Sequence, residues 1–263
     1  MRALPRPSKD AFVLDVPAGS RAGNALLLHG LTGTPYEVRV VADALHQAGY
    51  ACVGPVLPGH GADPAALTRL RHTDWLAAAR QALAHIPARE PLLLVGCSMG
   101  GLLALHLALE RHVDGVVLLA PALRFHPAGA AAVAVIARTR AWRLRAFLPK
   151  KAPGGDVAAP DAQRHNPTYK VLPVFAMAEL LRLQTKTRAI LSSISAPLCI
   201  LHGNEDSTID PSSSAEIARR VKSPRVEHHR LKNSRHLIGL DVDRDDVCDL
   251  AVRFARTHAS EAA

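Results

Sequence analysis

Short apolar runs alternate along the chain with segments whose apolar residues recur at helical spacing. The runs are typical of strands that a parallel sheet buries on both faces, and they span residues 25–28, 51–57, 92–95, 116–119 and 198–201. A last strand is predicted near residues 226–231. The predicted helix faces are Val38, Val41, Leu45 and Ala48, then Trp75, Ala79, Leu83 and Ile86, and finally Val247, Leu250, Ala251 and Phe254. This alternation predicts an α/β fold with a doubly wound, mostly parallel sheet.

The alternation is interrupted between the fourth and fifth predicted strands, where more than seventy residues contain no clear strand. The segment is predicted to contain a helix over 130–147, a Pro- and Gly-rich link over 149–167 and a second helix over 174–191. A structureless loop of this length is rare inside a compact domain, so we predict an inserted helical cap. The predicted cap comprises residues 122–191, and the core domain comprises residues 1–121 and 192–263.

Composition and charge narrow the possible partners and compartments. The 263 residues carry a net charge of +9, but the basic residues are scattered and lack interleaved aromatics, so we expect no nucleic-acid binding. Three of the four cysteines lie in apolar runs and are expected to be buried thiols, which suits a reducing cytosol. Prolines interrupt the N-terminal segment and no apolar run is long enough to span a membrane, so we expect a cytoplasmic protein without stable membrane insertion.

The predicted strand at 92–95 runs directly into Gly96-Cys97-Ser98-Met99-Gly100 and then into a helical pattern. This is a G-x-S-x-G motif at a strand-to-helix turn. The turn must be sharp to expose the serine hydroxyl, and glycine at the flanking positions lets the strand and helix backbones approach each other. Ser98 is therefore the candidate nucleophile.

A serine hydroxyl needs a histidine that removes its proton and a carboxylate that orients the histidine. The strand at 198–201 leads to Asp206, and the strand at 226–231 leads to His236, so the order Ser, Asp, His follows successive strand ends. Glu205 and Asp210 are alternative acids, but Glu205 is expected to point elsewhere and Asp210 to cap the next helix. We see no histidine pair with metal-ligand spacing and acidic support, and expect no metal.

Hydrolysis of an acyl bond also needs backbone N–H groups directed at the developing oxyanion. One donor is expected from Met99, the residue after the candidate nucleophile. The other is expected from Leu31, in the loop His29-Gly30-Leu31-Thr32-Gly33 that follows the first parallel strand. Gly30 lets this backbone turn toward the site, where it is also a candidate for substrate contact.

The motifs HGLTGTPYEV, PVLPGHG, GCSMGG, HGNEDSTIDP and SRHLIGLD together resemble those of bacterial carboxylesterases and monoacylglycerol lipases of the α/β-hydrolase superfamily. The resemblance covers nearly the whole chain and is weakest in the predicted cap. It implies a Ser98-Asp206-His236 triad, two main-chain oxyanion donors and a lid over an acyl pocket. Two positions depart from the family. Leu31 stands where relatives often have Phe, and Arg235 stands where Gly usually precedes the histidine, so Arg235 is expected to lower the pKa of His236.

The sequence therefore predicts a cofactor-free carboxylic-ester hydrolase that acts through an acyl-enzyme on Ser98. Its substrate would be a small ester or a monoacylglycerol, with Trp142 and Leu144 of the predicted cap as candidate lining residues of the acyl pocket. One alternative is hydrolysis of another acyl bond, in a thioester, an amide or a β-diketone. A second alternative is a non-catalytic ligand-binding module on the same fold. The oligomeric state is not predicted.

Overall fold

A computed structural model describes residues 1–126, 135, 146–150, 152 and 154–259. Its strands are β1 (Phe12–Leu14), β2 (Gly23–Leu28), β3 (Tyr50–Gly54), β4 (Leu92–Cys97), β5 (Gly115–Leu119), β6 (Phe147–Pro149), β7 (Val171–Pro173), β8 (Leu198–Gly203) and β9 (Val226–Leu231). Seven of them form one sheet in the order β1-β3-β2-β4-β5-β8-β9. Only β1 is antiparallel to its neighbour; the other pairs in this sheet are parallel. The predicted mostly parallel sheet is confirmed, and the short edge strand β1 was not predicted.

The continuous apolar runs are explained by burial of the sheet on both faces. Successive side chains of a strand point to opposite sides, so Leu26 and Leu28 of β2 enter one hydrophobic cluster, whereas Ala25 and Leu27 enter the other. All four are fully buried. An apolar run without polar alternation is therefore what a central strand of this sheet requires.

Helices cover both faces of the sheet. They are α1 (Tyr36–Gln47), α2 (His72–Ala84), α3 (Met99–Leu107), α4 (Pro160–His165), α5 (Val174–Ile190), α6 (Ser212–Arg220) and α7 (Arg244–Ala259). Helices α1 and α7 pack on one face, and α2 and α3 pack on the other. The predicted apolar faces of these helices are confirmed, except that Ala48 and Ile86 lie just beyond the ends of α1 and α2. Ile86 is nevertheless buried.

The segment at 122–191 is only partly described. Its second predicted helix is confirmed as α5, but β6 and β7 pair as a short two-stranded antiparallel sheet, so the expectation of no strand was wrong. Phe147 belongs to β6 rather than to the predicted helix over 130–147, most of which lies outside the described residues. Strands of three residues carry too few positions to show a period in the sequence.

Helix α5 is attached to the body of the protein by apolar and polar contacts. Ala176, Leu180 and Leu183 join the same buried cluster as α2 and α3. A buried hydrogen bond links His72 Nδ1 of α2 to Glu179 Oε2 at 2.6 Å. This part of the predicted cap is therefore packed against the core; the domain boundaries themselves remain a prediction.

Two expectations concern the environment of the chain. All four cysteines, Cys52, Cys97, Cys199 and Cys248, are free and buried, one more than the sequence led us to expect. None of the helices within the described residues combines the length and the apolar character needed to cross a membrane. A cytoplasmic location remains a prediction.

Candidate active site

Ser98 lies at the sharp turn between β4 and α3. Its backbone has φ 54° and ψ −114°, a conformation that L residues adopt rarely and that costs free energy. The turn is held from the next strand, because the Ser98 N–H donates to the carbonyl oxygen of Leu119 at 2.9 Å. The neighbouring strand thus fixes the strained conformation that presents the serine hydroxyl.

The two glycines that flank Ser98 are required by close backbone approach. A Cβ added to Gly96 would lie 2.3 Å from the carbonyl oxygen of Gly100, and a Cβ added to Gly100 would lie 2.1 Å from that of Leu28. Both distances are far shorter than any van der Waals contact, and the clashing atoms belong to the backbone. The steric reason for glycine that the sequence suggested is present at both positions.

The structure brings Ser98, His236 and Asp206 together beyond the carboxyl ends of the parallel strands. His236 Nε2 lies 3.0 Å from Ser98 Oγ, and His236 Nδ1 lies 2.8 Å from Asp206 Oδ2. All three residues are buried, with relative exposures of 8%, 6% and 4% for Ser98, His236 and Asp206. The geometry lets Nδ1–H donate to the carboxylate while Nε2 accepts the serine proton.

The carboxylate of Asp206 is held by more groups than His236 alone. Its Oδ1 accepts hydrogen bonds from the N–H groups of Thr208 and Ile209, at 2.9 and 2.8 Å. A second histidine, His202, places Nε2 3.0 Å from Oδ2. Burial by itself would raise the pKa of Asp206, but His236 and His202 hold that pKa well below the usual aspartate range. Asp206 is therefore ionised.

His202 was not identified from the sequence as part of this site. It is fully buried at the end of β8, and its Nδ1 lies 2.5 Å from Ser214 Oγ of α6. The spacing of four residues before Asp206 was the available signal, but only the turn after β8 brings the two side chains together. His202 thus places a ring nitrogen against the buried carboxylate and contributes to the lowered pKa of Asp206.

The two alternative acids do not contact His236. Glu205 is exposed, and its N–H donates to the carbonyl oxygen of Ser234. Asp210 Oδ1 accepts a hydrogen bond from the Ser212 N–H at 2.8 Å, at the start of α6. Asp210 thus has the capping role that the sequence suggested.

The expected effect of Arg235 on His236 was wrong. Burial lowers the pKa of His236, but the charge and hydrogen bond of Asp206 and the charges of Asp156 and Glu37 outweigh it, so the pKa is raised above the ordinary histidine value. Arg235 is exposed, and its backbone N–H donates to Asp241 Oδ2 at 2.7 Å. Adjacency in sequence did not place its guanidinium against the imidazole.

The loop after β2 presents the candidate oxyanion donor Leu31. Within this loop, Gly30 N–H donates to Glu37 Oε2 at 3.0 Å and Gly33 N–H donates to the Gly30 carbonyl at 3.2 Å. Among the residues that the structure describes, the Leu31 N–H has no intramolecular acceptor. Met99 begins α3, so its N–H is one of the donors that a helix leaves without an intrahelical partner.

Glu37 packs against this loop, and its role there was not identified from the sequence. Its carboxylate fills the space under the loop, since a Cβ on Gly33 would lie 2.2 Å from it and a Cβ on Gly30 3.1 Å from it. A Cβ added to Gly30 would also lie 3.2 Å from the Cβ of Ser98, so Gly30 lies directly against the candidate nucleophile. Glu37 is buried, which raises its pKa, while Gly30 N–H, Lys150 and His236 oppose that rise.

Residues of the segment at 122–191 donate hydrogen bonds to the same loop. Thr32, with φ 65°, offers its carbonyl oxygen to the Tyr169 N–H at 3.0 Å and to Thr168 Oγ1 at 2.9 Å. Lys150 Nζ in turn donates to Thr168 Oγ1 at 2.8 Å. The loop that carries Leu31 is thus held between Glu37 and residues that follow β6 and precede β7.

One group of potential metal ligands occurs among the described residues, away from Ser98. Ligand atoms of Cys199, Glu227 and His229, on β8 and β9, lie within 4.8 Å of one another. Glu227 Oε2 already accepts hydrogen bonds from His229 Nε2 and Arg253, each at 3.0 Å. The carboxylate of this group is therefore already hydrogen-bonded to two side chains of the protein.

Of the remaining candidate site residues, Trp142 and Leu144 lie outside the described residues.

Comparison with known proteins identifies relatives over most of the chain. The family model described as serine aminopeptidase, S33, matches residues 19–243. The chain is 33% identical over 237 residues to a thermostable monoacylglycerol lipase of Bacillus sp. (strain H-257), covering 89% of this chain and 90% of the relative. It is 24% identical over 222 residues to a carboxylesterase of Bacillus subtilis (strain 168), covering 84% and 87%.

A solved structure agrees with these matches. The structure reported for the metagenome-derived lipolytic enzymes LipS and LipT superimposes with a TM-score of 0.84 at 27% identity, covering 96% of this chain and 99% of that chain. The family match spans the region from before β2 to the start of α7, and so includes Ser98, Asp206 and His236. The chain has the α/β-hydrolase fold and belongs to the hydrolase family described as serine aminopeptidase, S33.

Proposed function

We propose that this protein is a serine hydrolase that cleaves carboxylic esters, with Ser98 as nucleophile, His236 as general base and Asp206 as the orienting acid. The observation that carries this proposal is the continuous contact from Ser98 Oγ through both ring nitrogens of His236 to Asp206. A non-catalytic ligand-binding module has no need for this buried arrangement. The esterase and lipase names of the relatives support ester bonds as the substrate class.

The proposed reaction uses groups of the chain and one water molecule. Ser98 Oγ attacks the ester carbonyl carbon as His236 Nε2 takes the hydroxyl proton, and the N–H groups of Leu31 and Met99 stabilise the resulting oxyanion. The bond to the alcohol oxygen breaks, and His236 returns the proton to the leaving alcohol. Water then attacks the acyl-enzyme as His236 accepts its proton, and His236 returns that proton to Ser98 Oγ when the bond to the acyl carbon breaks, which releases the carboxylic acid and restores Ser98.

We propose a monoacylglycerol or another small ester as the substrate, since the Bacillus sp. relative is named a monoacylglycerol lipase. Trp142 and Leu144 remain candidates for the acyl pocket, and Gly30 for a substrate contact beside Ser98. If apolar residues of the segment at 122–191 line that pocket, each added methylene gains about 0.8 kcal/mol until the pocket is full. We expect kcat/KM to rise from acetate to a medium-length acyl ester and then to fall.

The role of Ser98 is tested by Ser98→Ala with p-nitrophenyl esters and a fluorophosphonate probe. Loss of the nucleophile should lower kcat by about 10⁴-fold or more and abolish labelling. Ser193→Ala is the matched control, because Ser193 is exposed beyond the end of α5, and it should retain turnover and labelling. Labelling of another serine, or near-normal turnover of Ser98→Ala, contradicts the assignment.

The bond type is tested with a substrate panel, because the family name refers to an aminopeptidase and therefore to amides. The panel contains p-nitrophenyl esters of increasing chain length, a monoacylglycerol, an acyl-CoA thioester and an amino-acid p-nitroanilide. We expect the highest kcat/KM for the carboxylic esters. A higher value for the anilide would replace the ester proposal by an amide one, and an inert, unlabelled protein would favour a binding module.

A further inference from the structure

Asp156 contacts the loop that carries Asp206, although it lies fifty residues earlier, within the segment at 122–191. Its Oδ2 accepts three hydrogen bonds from the two residues that follow Asp206. The donors are Ser207 N at 2.9 Å, Ser207 Oγ at 2.9 Å and Thr208 Oγ1 at 3.0 Å. One carboxylate oxygen of Asp156 thus fixes the part of the loop directly after Asp206, and this loop after β8 is called the acid loop below.

The main chain of the same residue contacts the loop after β9 that carries His236, called the base loop below. The carbonyl oxygen of Asp156 accepts hydrogen bonds from the N–H groups of His236 at 3.0 Å and Leu237 at 3.1 Å. The acid loop and the base loop also touch directly through Glu205 N–H, which donates to the Ser234 carbonyl at 3.1 Å. Asp156 nevertheless contributes five hydrogen bonds across these two loops, shared between its side chain and its backbone.

The backbone around Asp156 is itself tied to the protein. Gly155 has φ 97°, which favours glycine, and its N–H donates to the Ala152 carbonyl at 2.9 Å. On the other side, the N–H groups of Ala158 and Ala159 each donate to Asp241 Oδ1 at 2.8 Å. Asp241 Oδ2 also accepts from the backbone of Arg235, beside His236. Asp156 is therefore held in place by the structure around the base loop.

We propose that Asp156 is a positioning residue that keeps the acid loop and the base loop in register, so that Asp206 meets His236. The proposal rests on the function proposed above for these two residues. The contact between them is 2.8 Å, and a displacement of about 1 Å in such a geometry can cost about 100-fold in rate. A residue inside the predicted cap would then support the chemistry without touching the substrate.

The charge of Asp156 supplies a readout that packing alone would not change. Three carboxylates act on His236, namely Asp206, Asp156 and Glu37, and together they raise the pKa of His236 against the effect of burial. Removal of the Asp156 charge should lower that pKa. Activity that depends on neutral His236 would then appear at lower pH in the variant than in the wild-type protein.

The experiment measures kcat, KM and the pH profile for Asp156→Ala, Asp156→Asn and a matched control, Asp161→Asn. Asp161 is an acidic residue of the same segment that pairs with Arg244 at 3.3 Å and does not contact either catalytic loop. We expect Asp156→Ala to lower kcat by about 10- to 100-fold with a smaller change in KM. Asp156→Asn keeps an acceptor oxygen, so it should retain more of kcat but still move the pH midpoint down. Asp161→Asn should change neither.

An unchanged kcat and pH midpoint in Asp156→Ala would overturn the proposal, as would a loss of thermal stability without either change. If Asp156→Ala does not fold, the midpoint of Asp156→Asn decides, and an unshifted midpoint counts against a positioning role. Failure of the proposed function is distinguishable, because then the wild-type protein itself would neither hydrolyse esters nor react with a fluorophosphonate at Ser98.

Discussion

The nucleophile side and the acid–base side of the site are built in different ways. Ser98 lies within a single stretch of chain, β4 followed by α3, whose backbone packs tightly on itself at Gly96 and on Leu28 of β2 at Gly100, and whose turn is hydrogen-bonded to Leu119 of β5. Asp206 and His236 lie on two separate loops after β8 and β9. Those loops are held by residues distant in sequence, Asp156 among them.

This difference indicates how each half should respond to substitution. On the nucleophile side, the backbone has no room for even one extra carbon, so a small change should affect folding. On the acid–base side, the contacts are hydrogen bonds between side chains and loops, so a change should affect the rate and the pH dependence more than the fold. The following experiments test that contrast, from the largest expected effect to the smallest.

The largest effects are expected from the two acid–base residues themselves. Asp206→Asn and His236→Ala should each lower kcat by about 10³-fold or more, and the double variant should be little worse, since the members of a triad act as a unit. The control is Asp210→Asn, which keeps an acceptor oxygen for the Ser212 N–H and should leave kcat largely intact. Full activity in Asp206→Asn together with a large loss of kcat in Asp210→Asn would show that Asp210, and not Asp206, is the orienting acid.

A backbone clash should dominate the response to substitution at the strand-to-helix turn that carries Ser98. We expect Gly100→Ala to lower the free energy of unfolding by about 3 kcal/mol, because its Cβ would lie 2.1 Å from the Leu28 carbonyl oxygen. Gly101→Ala is the matched control, since its nearest contact is 3.2 Å and alanine favours a helix, so the change should stay within about 1 kcal/mol. Urea unfolding measures both; equal stabilities would contradict the steric explanation.

Substitution at Glu37, beneath the loop that carries Leu31, should show an intermediate effect. Glu37→Leu removes the acceptor of the Gly30 N–H and leaves a buried donor unpaired, which should cost about 1–3 kcal/mol of stability and about 10-fold in kcat. Glu37→Gln retains an acceptor oxygen and should lose much less of both. Steady-state kinetics and thermal unfolding distinguish them. If the two variants lose kcat equally, the hydrogen bond to Gly30 does not position the loop.

The smallest effect is expected from Arg235. The raised pKa of His236 places the rise of kcat/KM with pH above the value of about 6.5 for free imidazole, because only neutral His236 accepts the serine proton. Arg235→Ala should leave this midpoint unchanged, since the side chain is exposed. A wild-type midpoint below about 6.5 that rises in Arg235→Ala would restore the influence of Arg235.

Features encoded locally were predictable from the sequence. Central strands buried on both faces need uninterrupted apolar residues, so β2, β4, β5 and β8 stand out as apolar runs. The strand-to-helix turn at Ser98 needs glycine on each side, so it appears as a fixed spacing. Asp206 and His236 could be selected because each follows the end of a strand in the order that this type of sheet requires. The three-residue β1, β6 and β7 lacked enough positions for a pattern.

Tertiary structure alone decided which side chains surround these residues. His202, Glu37 and Asp156 became neighbours of the site through turns and hydrogen bonds that form only in the folded chain, even though the short spacing of His202 before Asp206 is visible in the sequence. Arg235 shows the converse, because adjacency to His236 in the chain did not bring its charge to the imidazole. Periodicity reports burial on a strand or helix, whereas the environment of a loop residue depends on contacts between distant segments, and those exist only once the chain has folded.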